Sequence, residues 1–116
     1  SSDEKKLAMG QLCASLLRDP EGNIGNLKPI FMFTQDKDDL PLVKLAVLSL
    51  TAVFVDIIPG YRIRLPTEKE MQMKVSKQVA AQRKFETTLL HEYQRFLQFL
   101  EAQGRKHEDE AKRLYE

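Results

Sequence analysis

The stretch that decides the fold is Leu40 to Arg64, LPLVKLAVLSLTAVFVDIIPGYRIR. Between Pro41 and Val55 the single charge is Lys44. A helix apolar on nearly every face belongs inside a protein rather than on its surface. The β-branched residues Val43, Val47, Thr51, Val53 and Val55 suit a strand, but strands usually run about 5–6 residues. A confident membrane span needs about 20 apolar residues, and this stretch reads as too short and too embedded in polar sequence to be one. The stretch therefore reads as a buried helix. Pro41 sits in its first turn, and Asp38 or Asp39 lies near its positive end. Pro59-Gly60 ends it. The remaining chain is expected to pack around this rod.

Outward from it, composition sets the class. The chain has 116 residues, 42% hydrophobic and 30% charged, which suits one soluble, helix-rich domain. Net charge is +1, so charge alone does not make the whole chain a polyanion binder. The distribution is uneven. Residues 1–59 hold six Lys/Arg against eight Asp/Glu, residues 60–84 seven against two, and residues 85–116 five against seven. Basic charge is thus concentrated just after the apolar stretch. A single cysteine, Cys13, precludes an internal disulfide and fits a reducing compartment. The start, SSDEKKL, has no apolar signal-peptide region and no initiator Met, so the sequence reads as a piece of a longer protein.

Ser1 and Glu4 open a first helix with a capping box. Leu7, Leu12 or Cys13, Leu16 and Leu17 form its apolar stripe, with Cys13 read as a small hydrophobe. Asp19-Pro20-Glu21 starts a second helix carrying Ile24, Leu27, Ile30, Phe31 and Phe33. Gly22, Gly25 and Pro29 predict that it is short or kinked. Asp36, Asp38 and Asp39 form a turn; they lack the Gly and bidentate Glu offsets of a calcium loop and read as capping and solvated residues. Tyr61-Arg62-Ile63-Arg64 alternates, which predicts an extended connector with Arg62 and Arg64 on one side. Thr67 and Glu70 form a capping box for a last helix. No Pro or Gly occurs between Thr67 and Gln103, so that helix is expected to run about 55 Å. Met71, Val75, Val79, Phe85, Leu89, Tyr93, Phe96 and Leu100 share one of its faces. Such a helix overhangs a domain of this size, whose compact radius is about 13–14 Å. Either it bends back at Gln82-Arg83, or other parts of the protein cover its apolar face; Phe85, Leu89, Tyr93, Phe96 and Leu100 are the candidate partner face. Gly104 and the charged run after it mark a break or fraying.

The expected architecture is all-α, four main helices near 3–18, 20–33, 40–57 and 67–103. Residues 1–104 form the domain and residues 105–116 a charged helical or frayed tail. No catalytic constellation is present. His91 and His107 stand 16 residues apart without ligand spacing, and there is no phosphate loop, HExxH or CxxC. No cofactor and no metal are implied. The candidate contact set is Arg62, Arg64, Lys69, Lys74, Lys77, Arg83 and Lys84, which can neutralise phosphates or stand as a solvated helix face. Tyr61 can stack on an unpaired base or pack beneath the connector.

Several runs resemble the nucleolar complex protein 3 family: Ala14 to Glu21; Val43 to Leu50, with Phe54; Asp56 to Arg64; and Thr67-Glu68 followed by Lys74 to Lys77, Phe85-Glu86, Leu89-Leu90, Tyr93 and Leu97. DIIPGYRIR with the Thr67-Glu68 helix start close behind is the specific part. The resemblance covers about residues 13–100. It implies a HEAT/armadillo-like helical-repeat unit, although no period repeats within the chain. It implies a non-catalytic scaffold in ribosome biogenesis, in the nucleolus and nucleus. Its implied partners are nucleolar complex protein 2 and the large-subunit pre-ribosomal (pre-60S) particle, both rRNA and ribosomal proteins, with no membrane. The alternative is a chromatin or replication-initiation module that contacts DNA or replication factors. Val55 departs from the charged residue expected in the family, and is expected to deepen burial of its helix.

Overall fold

The computed structural model describes residues 1–60, 67–73 and 76–116. Among them every regular element is helical. In order, α1 is Ser2–Arg18, α2 Pro20–Asn23, α3 Leu27–Met32, α4 Leu40–Ile57, α5 Glu68–Gln72 and α6 Lys77–Tyr115. Turns of 3₁₀ helix at Ile24–Asn26, Phe33–Gln35 and Ile58–Gly60 link or extend them. The expected second helix, 20–33, is thus two short helices around a 3₁₀ turn. Pro29 falls in the first turn of α3, where its missing N–H costs little.

Helix starts follow the side chains that can accept from orphan amides. Ser1 Oγ accepts from the Glu4 amide at 3.3 Å, and Asp19 Oδ1 from Gly22 at 3.1 Å. Asp39 Oδ1 accepts from Leu42 at 3.2 Å and Thr67 Oγ1 from Glu70 at 3.2 Å. A hydrogen bond with Ser2 and the Leu42 amide hold the Asp39 carboxyl below the usual carboxylate range. A depressed carboxyl pKa adds stability above its unfolded value, and that contribution fades as pH falls through the folded value. Asp36, in the same turn, accepts from Lys5 Nζ at 2.7 Å and ties the turn to α1.

The long C-terminal helix begins later than expected. The chain is extended at Met73 (φ −76°, ψ 140°), and Ser76 caps a fresh helix by accepting from the Val79 amide at 3.2 Å. With neither Pro nor Gly to flag it, this serine cap was the sole local signal of the break. The helix then continues unbroken through Gln82-Arg83 and through Gly104. One exposed glycine costs a helix about 1 kcal/mol; an ion pair from Arg105 to Glu101 (2.5 Å) spans it, and one from Lys112 to Glu108 (3.7 Å) follows in the tail. No foreign atom lies within 4 Å of a Cβ built at Gly104. Gly104→Ala is therefore expected to raise stability or tail helicity by about 0.5–1 kcal/mol, read by circular dichroism and hydrogen exchange of residues 100–115.

One hydrophobic core joins α1, α3, α4 and α6. Met9 and Leu16 enter from α1, Leu27, Ile30 and Phe31 from α3, and Leu42, Ala46, Leu50, Val53, Phe54 and Ile57 from α4. Phe85, Leu89 and Phe96 close it from α6. In α1 the stripe is Met9, Leu12, Cys13 and Leu16; Leu7 and Leu17 are exposed, contrary to expectation. Cys13 does pack against the core, where burial pushes its thiol pKa up against a hydrogen bond to Ser49. Phe54 lies between Tyr93 and Phe96, with centroids 5.2 and 5.5 Å away. Phe31 meets Phe99 edge-on at 5.7 Å. Beside it, Arg95 lies 4.2 Å over the Phe31 ring and 2.7 Å from the buried Glu92 carboxylate.

Two expectations about α4 and α6 are corrected. α4 is not sunk on all sides. Contrary to expectation, residues 40–60 are long and apolar enough to cross a membrane by length and composition, and 33% of their 18-residue apolar window is buried in the protein. Leu45, Leu48 and Val55 face solvent, Val55 being 69% exposed, so Val55 does not deepen burial. On α6 the apolar face is not free for a partner: Phe85, Leu89 and Phe96 are buried in this chain's own core, and Tyr93 and Leu100 pack against it. Met71 and Val79, expected on that face, are exposed. Beyond His107 α6 runs clear of the body. Its overhang gives a radius of gyration of 17.2 Å and extents of 59 × 35 × 21 Å.

Candidate interaction surfaces

The basic set divides. Arg62, Arg64 and Lys74, with Tyr61 and Val75, lie outside the described residues. Lys69 on α5 and Lys77 and Lys84 on α6 are exposed. Arg83 is half-buried, and its Nη1 donates to the Glu70 carbonyl at 3.2 Å, fastening α5 to α6. At least part of its guanidinium is therefore structural. His91 sits on the exposed side of α6, and His107 stands where the overhang begins, with Nδ1 3.6 Å from Glu110.

The surface that sequence reading missed belongs to α4. Its buried series is Leu42, Ala46, Leu50, Val53 and Ile57; its exposed series is Leu45, Leu48, Ala52 and Val55. Both repeat at three- and four-residue steps, the spacing of one helix face. Because both are apolar, α4 has two faces each fit for burial, and α1, α3 and α6 cover one. A contiguous bare apolar face marks an interaction surface on a water-exposed protein. At its N-terminal end it runs into an open cleft of about 620 Å³ walled by Leu40, Val47 and Leu48 of α4 and by Phe99, Leu100 and His107 of α6. Lys44 supplies the charge there.

The nucleolar complex-associated protein family matches residues 4–96, which take in α1 through α5 and α6 as far as Phe96. The chain belongs to that family. It is 53% identical over 100 residues to nucleolar complex-associated protein 3 of Arabidopsis thaliana, covering 86% of this chain and 12% of the relative. Against the protein of that name from Schizosaccharomyces pombe, identity is 44% over 99 residues, 83% of this chain and 13% of the relative. Nucleolar complex protein 3 homolog of Homo sapiens is 40% identical over 101 residues, 84% of this chain and 13% of the relative. The chain thus spans about an eighth of the length of these curated relatives. The family match ends at Phe96, before the overhang of α6 begins.

Proposed function

We propose that this chain is a non-catalytic scaffolding segment of a nucleolar assembly that matures and carries large-subunit pre-ribosomal particles. The observation that carries the reading is the bare apolar face of α4 beside a complete core. A helical unit in a repeat stack hides such a face against its neighbour or a partner. The names of its relatives, as components associated with a nucleolar complex, support a nucleolar and nuclear setting. In this reading nucleolar complex protein 2 or an adjoining repeat covers Leu45, Leu48 and Val55. Lys69, Lys77 and Lys84, with Arg62, Arg64 and Lys74, meet rRNA. Phosphate contacts of this sort add sequence-independent affinity that falls with salt.

Leu48 is 68% exposed, so Leu48→Asp removes partner-facing surface without opening the core. Recovery of nucleolar complex protein 2 with the full-length protein is expected to fall at least about tenfold, a loss of about 1.4 kcal/mol. The melting temperature of the isolated chain is expected to hold within about 2 °C, since exposed substitutions stay within about 0.5 kcal/mol. Unchanged recovery would remove α4 from the interface. Crosslinking followed by sequencing is expected to return pre-rRNA; DNA without pre-rRNA would instead favour the chromatin or replication module.

A further inference from the structure

Two clefts of about 360 Å³ each open side by side along α6. One lies against the Ile24–Asn26 turn and the start of α3, where Ile24, Lys28 and His91 line it. The other lies beneath α5, lined by Met71, Met73, Arg83 and Lys84. Thr87 and Thr88 line both, so the clefts are halves of one groove. From Ala80 to His91 it follows about 17 Å of helix. Among the described residues it shares no lining residue with the α4 cleft.

The groove combines apolar walls with two exposed lysines, Lys28 and Lys84. Ile24, a core residue that is 8% exposed, floors one end, and the exposed Met71 and Met73 stand at the other. Methionine adapts readily to an incoming apolar side chain. Among the described residues, neither Lys28 nor Lys84 has a carboxylate within ion-pair distance. Among the described residues the acid that lines the groove is Glu92, which is 8% exposed and whose charge faces Arg95 at 2.7 Å. Among the described residues no aromatic ring lines either half, so these residues offer no platform on which a base could stack. A polynucleotide would use the lysines and leave the methionine wall uncovered. An acidic polypeptide with large apolar side chains would use both.

We infer that this groove docks an acidic segment of a partner protein, with carboxylates on Lys28 and Lys84 and apolar anchors seated between Ile24 and the Met71–Met73 wall. Charge complementarity selects the partner, and the apolar walls supply the grip. The inference goes beyond the docking face on α4 and does not rest on it. It shares Lys84 with the proposed rRNA contacts, and the test therefore includes RNA.

The test is an NMR titration of the ¹⁵N-labelled chain in about 150 mM salt, where exposed charges are screened beyond about 8 Å. Three probes of about a dozen units are compared: an Asp/Glu peptide carrying two Leu or Phe, the same peptide with Ser at those two positions, and oligouridine. The apolar acidic peptide is expected to shift the amides of Lys28, Thr87, Thr88 and His91 saturably, and the Ser peptide to bind at least about tenfold more weakly, a gap of about 1.4 kcal/mol. Lys28→Glu with Lys84→Glu, both exposed, is expected to weaken the first peptide at least about tenfold with the thermal melt unchanged. Oligouridine binding the same amides more tightly would overturn the inference in favour of a phosphate site. Equal binding of the two peptides would reduce the groove to nonspecific charge attraction, and silence from all three probes would abolish it.

Discussion

Phe54→Ala is expected to destabilise the chain by about 3–5 kcal/mol, the usual cost of removing a buried phenyl ring. Phe54 is 3% exposed and packs α4 against α6, between Tyr93 and Phe96. Truncation leaves a cavity and removes two aromatic contacts, each worth about 0.5–1.5 kcal/mol beyond area burial. For a domain of this size the midpoint should fall by about 12–20 °C, read by calorimetry or urea unfolding. The next residue supplies the control. Val55 is 69% exposed, and Val55→Ala should change stability by less than about 0.5 kcal/mol. Equal losses at 54 and 55 would mean that α4 is buried on both faces in solution.

The second large effect belongs to the Glu92–Arg95 pair. Glu92 is 8% exposed, and its carboxylate faces the guanidinium at 2.7 Å while Arg95 also covers the Phe31 ring. The two groups meet as charges without aligned hydrogen bonds on Glu92 Oε2 or Arg95 Nε and Nη2. Removing one partner from a buried pair leaves a stranded charge and costs about 3–5 kcal/mol. The Arg95 side chain is 31% exposed, so water recovers part of that, and Arg95→Ala is expected to cost about 2–3 kcal/mol. Glu92→Leu in the Arg95→Ala background should restore about 1 kcal/mol or more, since the stranded carboxylate is gone. A double variant no more stable than Arg95→Ala would show that the loss comes from the uncovered Phe31 ring rather than from the charge.

The helices themselves were readable because their determinants are local. Ser1, Asp19, Asp39 and Thr67 each satisfy an amide three residues on, and that chemistry is visible in the bare chain. The all-α class and the end of α4 before Pro59 follow from the same local rules. The break before α6 was harder, because the Ser76 cap stands without the Pro or Gly that usually flags one. The overhang was legible as helix length, but not its freedom from fraying at Gly104. There, small ion-pair gains such as Glu101–Arg105 compete with an equally small glycine cost.

Local chemistry thus determined where the chain turns helical, where most helices start, and that 40–57 must bury apolar surface. Only the tertiary structure decided which apolar face each helix hides. Leu42, Ala46, Leu50, Val53 and Ile57 went inward on α4, and Leu45, Leu48 and Val55 stayed bare. On α6 the face read as open to a partner became core. Hydrophobic burial is non-directional and proportional to area, so a helix with two apolar faces carries no instruction about which to cover. The positions of α1, α3 and α6 around it make that choice.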